Sequence, residues 1–168
     1  MVTNPFHALS GSKLALDLVR LNPLGNRATG IAPRALEDNE IFGDAVHSPC
    51  DGTVAVVRDT VPDNAPGSIN TEYPEGNYIV VRCADVEVLM AHLRHGSISA
   101  SAGEAMPSGR PLGQVGNSGN TLEPHLHVEA RKDGARVCLV FDSRRLSLNS
   151  VVIRTGKDAW PPAAADRT

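Results

Sequence analysis

No run of about 18 apolar residues occurs anywhere in this sequence, so no membrane-spanning helix is encoded. No basic start leads into an apolar stretch either, and no signal peptide is expected on this chain. Charge of one sign is also lacking. The net charge of −3 makes no electrostatic case for a nucleic-acid partner. The one basic cluster, Arg131, Lys132, Arg136, Arg144 and Arg145, reads as a solvated face. Cysteine is sparse and odd in number. Cys50, Cys83 and Cys138 show no CxxC spacing, which argues against a disulfide framework or a structural zinc knot. Cys83 and Cys138 sit in apolar runs and read as small buried hydrophobes. A pairing of two of the three stays open. Long amphipathic helices and internal repeats are missing as well.

What is present suffices for one soluble domain. The chain has 168 residues, 41% hydrophobic and 21% charged, enough to bury a core without covalent help. We expect a single domain over 1–155 and a flexible tail over 156–168, where Trp160 leads into a Pro- and Ala-rich end. Glycine and proline punctuate short apolar runs along the chain. The predicted strands are Lys13–Leu21, Gly52–Arg58, Asn77–Ala84, Glu87–Leu93, Pro111–Val115, His125–Arg131 and Arg136–Phe141. Ala84-Asp85 separates two β-branched runs as a short hairpin turn. Ala32–Phe42 has room for one or two helical turns, and 61–76 reads as a long loop of the kind that carries function. One antiparallel all-β domain is the economical architecture.

Six histidines and one aspartate stand out against this apolar background. In Pro124-His125-Leu126-His127-Val128-Glu129, residues two apart in a strand share a face. His125 and His127 then project into one space, with Leu126 and Val128 packing behind. Two imidazoles on one face suit a metal site, or one ligand beside one base. His92 interrupts the apolar Met90-Ala91-His92-Leu93, which fits either a satisfied core histidine or a site residue. Asp17 lies inside Leu14-Ala15-Leu16-Asp17-Leu18-Val19, where a carboxylate needs a partner: a metal, an arginine or a capped backbone. His47 and His95 read as structural or exposed. Catalytic zinc takes three protein ligands and keeps one place open, and two imidazoles with one carboxylate make such a set. The matching chemistry is hydrolysis of an amide by water.

The order of these motifs resembles the lysostaphin and murein-endopeptidase family of zinc peptidases. Ser48-Pro49-Cys50-Asp51-Gly52-Thr53-Val54 is similar to the family's Ala-Pro-x-x-Gly-x-Val, and Gly76-Asn77 to its entry into a central strand. Ala91-His92-Leu93 is similar to its Tyr-Ala-His-Leu, with Met90 at the tyrosine position. Gly116-Asn117-Ser118-Gly119 is similar to its glycine turn, and Pro124 to Glu129 to its Pro-His-Leu-His-Phe-Glu. The likeness covers about residues 44–130. It implies an antiparallel β-sheet or sandwich of the lysostaphin-like, duplicated-hybrid-motif type with long surface loops. It further implies one Zn2+ per chain held by His7, Asp17 and His127, with His92 and His125 as the catalytic pair. The implied activity is a zinc metalloendopeptidase acting on peptidoglycan peptides, in the cell envelope or secreted. One departure is plain: the family's first motif is H-x-x-x-D, whereas nine residues separate His7 from Asp17. A catalytically silent relative that binds peptidoglycan or a partner is the main alternative. A phosphoryl-carrier domain would not need Asp17, and a lipoyl or biotinyl carrier would need a modifiable lysine that is missing.

Overall fold

The computed structural model describes residues 2–3, 14–30, 32–141, 144–146 and 150–152. Twelve strands in chain order make it up, here β1 to β12. They are Val2–Thr3, Leu16–Val19, Ala45–His47, Gly52–Arg58, Asn77–Cys83, Val86–Leu93, Ala105–Met106, Pro111–Gln114, Leu126–Lys132, Ala135–Val137, Val140–Phe141 and Arg144–Arg145. Eight of them form one antiparallel sheet in the order β1-β2-β9-β6-β5-β4-β7, with β10 paired to β9. Two small sheets, β3-β8 and β11-β12, complete the set. The all-β, antiparallel architecture predicted from the sequence is the one observed. Among the described residues no helix is long and apolar enough to cross a membrane.

In the main sheet β5 alternates as a half-buried strand should, while β2 is buried along its whole length. Along β5, Asn77, Ile79 and Val81 are buried while Tyr78 and Val80 are half-exposed. Ile79, Val81, Leu93 and Leu112 are completely buried and, with Val54 and Met106, make the aliphatic centre. Burying each such side chain stabilises the fold by roughly 1.5–3 kcal/mol. Val128 and the half-buried Leu126 join this cluster, as expected of the residues flanking His127. The β5–β6 hairpin closes at Ala84-Asp85, with Cys83 opposite Val86 and Ala84 in the left-handed region at φ 53°.

Several expectations need correction. Cys83 is not a mere buried hydrophobe: it forms a disulfide with Cys50, at a Cα separation of 5.9 Å. The pairing is invisible in the sequence because the two lie 33 positions apart. The register makes them neighbours, since Thr53 of β4 lies opposite Arg82 of β5. Cys138 is a half-buried thiol. Ala32–Phe42 yields a single 3-10 turn over Leu36–Asp38. The run Arg136–Phe141 divides, its first part pairing with β9 and its last part with β12. The basic cluster is partly engaged rather than simply solvated. Arg131 and Arg136 both clamp Glu129, which is 3% exposed, and Lys132 pairs with Asp85. Burial pushes the Glu129 carboxyl up, but the hydrogen bonds and charges of the two guanidiniums outweigh it and hold the group below its usual range. The predicted tail, 156–168, lies outside the described residues.

Candidate metal centre

Four polar side chains meet where β2, β6 and β9 run side by side. β9 pairs antiparallel with β2 on one side and β6 on the other, setting Asp17 opposite His127 and Ala91 opposite His127. Asp17 is 3% exposed, a burial that an isolated carboxylate could not sustain. Its Oδ1 lies 2.9 Å from His127 Nδ1 and 3.6 Å from His125 Nε2. The His92 ring centroid is 4.7 Å from that of His125 and 5.8 Å from that of His127. Of the five residues predicted for the site, the structure brings together Asp17, His92, His125 and His127. The fifth, His7, lies outside the described residues. His47 and His95 are exposed, as expected.

His92 owes its aim to an irregular backbone. The β5–β6 register slips between Asn77 and Tyr78, so that Asn77 faces Leu93 and Tyr78 faces Ala91. His92 is the extra residue, a β-bulge that redirects one side chain out of the strand's alternation. Its φ of 61° places it in the left-handed region, which a histidine occupies only at a cost. The backbone is held there from both sides: His92 N–H donates to Glu75 O, and Gly116 N–H donates to His92 O.

The ring orientations follow from which atoms can only accept. His92 Nδ1 is 2.8 Å from the Ser118 carbonyl and His125 Nδ1 is 2.9 Å from the Glu123 carbonyl. A carbonyl cannot donate, so both rings carry their proton on Nδ1 and turn an unprotonated Nε2 away from it. Thr121 Oγ1 stands 3.1 Å from His125 Nδ1 as well, and donates to Glu123 O at 2.7 Å. Burial, reinforced by the repulsion between two protonated rings at His92 and His125, lowers the His92 pKa to about 3. Burial also lowers that of His125, against the pull of Asp17. Both imidazoles are therefore neutral near pH 7 and available as proton acceptors or ligands.

Ser118 was quoted above only as part of a glycine turn, yet it is a hub. Its hydroxyl donates to Leu93 O at 2.7 Å and accepts from Asn77 N–H at 2.8 Å, while its carbonyl receives His92. Two glycines make this approach possible. A Cβ on Gly76, at φ 60°, would collide with the Ser118 carbonyl, and one on Gly119, at φ 90°, with Gly76 N. Asn77, fully buried, ties the loop to the strand by accepting from Val61 N–H and donating to Val61 O and Leu93 O. The motif spacing pointed to a tight turn but carried no signal for which atom the turn presents. Among the described residues, every buried side-chain nitrogen and oxygen has a partner.

The donor set fits a metal ion. Ligand atoms of His92, His125 and His127 lie within 4.8 Å of one another, and Asp17 Oδ1 closes on the same space. Bonds of roughly 2.0–2.1 Å in a tetrahedral zinc site place ligand atoms about 3.3 Å apart. The 2.9 Å separation of Asp17 Oδ1 and His127 Nδ1 is close to that spacing.

A family model described as Peptidase family M23 matches residues 37–138. That span is more than half of the chain, and it includes His92, His125 and His127 but stops short of Asp17. Among solved structures, the chain is similar to the catalytic domain of a mutant of the prophage-encoded M23 protein EnpA from Enterococcus faecalis. The identity is 20%, with 74% of this chain and 87% of that chain covered, at a TM-score of 0.46. It is also similar to a zinc-containing peptidase from Vibrio cholerae at 23% identity, over 88% of this chain and 36% of that chain, with a TM-score of 0.48. The catalytic domain of lysostaphin from Staphylococcus simulans follows at 18% identity, 64% and 79% coverage and a TM-score of 0.43. No curated protein matches the sequence.

Proposed function

The chain belongs to peptidase family M23, and from that premise we propose that it is a zinc-dependent endopeptidase that hydrolyses peptide bonds in bacterial peptidoglycan. The observation that carries this reading is the convergence of Asp17, His92, His125 and His127, all buried or half-buried, on one space beneath an open cleft. In this reading Asp17 and His127 hold the zinc, His7 completes the protein ligands, and His92 and His125 do the proton work. A buried carboxylate beside an imidazole is a better home for a dication than three imidazoles alone, because it supplies the compensating charge. When bound, zinc supplies Lewis acidity toward water and toward the carbonyl of the scissile amide.

The remaining work falls to the chain's own atoms. His92 and His125 each have Nδ1–H committed to a backbone carbonyl, so only Nε2 can act in the site. A neutral ring in that tautomer accepts a proton first; once protonated, it can donate to a developing oxyanion or to the departing amine nitrogen. The Ser118 and Glu123 carbonyls favour the protonated ring in turn, since a charged imidazolium N–H donates to a carbonyl more strongly than a neutral one. The cleft above them holds about 780 Å³, and both rings, each 7% exposed, are shielded from bulk water.

A setting in the cell envelope or outside the cell is supported by the Cys50–Cys83 disulfide, since such bonds persist in oxidising compartments. Zinc content per chain and release of new amino termini from purified peptidoglycan test the proposal together. About one zinc per chain is expected, with hydrolysis abolished by chelation and restored by added zinc. A parent protein that takes up no zinc on reconstitution, or binds it and releases no amino termini, would sink this reading in favour of a binding module.

A further inference from the structure

Above the imidazoles the site opens into a cavity of about 780 Å³. Asp17, His92 and His125 form its floor, and segments from 61–76 and 117–125 supply two of its walls. Each of these walls carries an aliphatic side chain left in water: Ile69 is 49% exposed on the first, and Leu122 is 56% exposed on the second. Scattered surface leucines need no explanation, but two branched aliphatics lining one reactive cleft do.

The walls are laced together by the backbone: Asn70 N–H donates to Gly119 O at 2.9 Å, and Asn64 Nδ2 to the same oxygen at 2.7 Å. Gly67 N–H reaches Leu122 O at 3.4 Å. The carboxylate on the second wall, Glu123, is held by Arg27 at 2.5 Å, so it is not left bare to select a cationic substrate. What the two walls offer a peptide beside the scissile bond is therefore alkyl surface in a fixed frame. A glycine chain brings nothing to cover it, whereas a residue with an alkyl side chain displaces the water there.

We propose that Ile69 and Leu122 are specificity-determining residues that seat an aliphatic side chain next to the scissile bond, so that the substrate is an alkyl-bearing peptide rather than an oligoglycine bridge. This rests on the peptidase reading above. The test compares an oligoglycine peptide with the same peptide carrying one alanine or leucine at successive positions. Cleavage by zinc-loaded protein is followed by mass spectrometry, and binding to the zinc-loaded His92→Ala variant by calorimetry. Ile69→Ser and Leu122→Ser remove the alkyl surface while leaving the buried core untouched.

One alkyl-bearing peptide should be cut about tenfold or more faster than oligoglycine, and the serine variants should erase that advantage by slowing the alkyl-bearing peptide far more than oligoglycine. Equal or faster cleavage of oligoglycine, or an equal loss on both peptides in the variants, overturns the proposal and leaves the peptidase reading standing. If nothing is cut but the alkyl-bearing peptide still binds more tightly in an Ile69- and Leu122-dependent way, the proposal holds and the peptidase reading falls. Equal binding of both peptides in that case overturns the proposal too.

Discussion

Strands β5 and β6 run as one ladder, and its two ends are built for different purposes. At the hairpin end the pairing is regular from Tyr78 opposite Ala91 to Cys83 opposite Val86. The disulfide ties this end to the turn before β4, and an Arg82–Glu87 ion pair spans the two strands. At the other end the register slips, His92 sits at positive φ, and glycines replace side chains so that Ser118 can come close. One end spends its residues on restraint; the other holds a strained, polar, buried cluster in place with hydrogen bonds. The comparison teaches that this fold tolerates an unfavourable conformation at the site because the rest of the ladder is over-determined.

The comparison is broken most severely by removing the metal. His127→Ala should reduce zinc content from about one per chain to little and abolish hydrolysis, whereas His125→Ala should keep most of the zinc and still lose activity. Elemental analysis beside the rate assay separates them; equal zinc loss in both would mean that His125 is itself a ligand. Next in size is His92→Ala, expected to slow hydrolysis by roughly 10²–10⁴-fold with zinc retained. Its unfolding midpoint in denaturant should fall less than a core truncation's would, because one hydrogen bond is lost while the strain at φ 61°, set by the Cβ that alanine keeps, is unchanged. A midpoint drop comparable to that of Ile79→Ala would contradict the division drawn between the two ends.

The restrained end answers oppositely. Replacing both Cys50 and Cys83 by serine should cost about 3–4 kcal/mol of unfolding free energy by loop closure. The rate per zinc-loaded molecule should barely move, and a tenfold rate loss in the folded variant would show that the two ends are coupled. The smallest effect is expected for Ser118→Ala. It leaves the Ser118 carbonyl on His92 but removes two hydroxyl bonds, costing about 1–3 kcal/mol of stability. Its effect on rate should be well below that of His92→Ala, as the two denaturant and rate profiles side by side would establish.

Much of this molecule could be read before it was seen. Strand Gly52–Arg58 was predicted with both its boundaries, because a β-branched run with Pro and Asp on either side has few alternatives. The pairing of His125 with His127 on one face follows from a period of two, and Leu126 and Val128 do pack behind them. Short strands such as Ala45–His47 and Ala105–Met106 escaped, since two or three residues carry too little pattern. The disulfide and the Glu129 clamp escaped for a different reason: both join groups through register, and register is a property of the assembled sheet.

The site divides along the same line. Local sequence determined which residues could carry chemistry: an aspartate in an apolar strand, a histidine in an apolar strand, and two histidines two apart. It also determined the all-β class, through runs too short for helices and too apolar for loops. Only the tertiary structure decided that Asp17 lies 2.9 Å from His127, 110 residues later, because antiparallel pairing of β2 with β9 sets that distance. It likewise decided which nitrogen of His92 and of His125 faces the cleft, since the carbonyls that fix each tautomer come from the turn between β8 and β9. Residue type and spacing are written in the chain; hydrogen-bond direction requires two segments to meet.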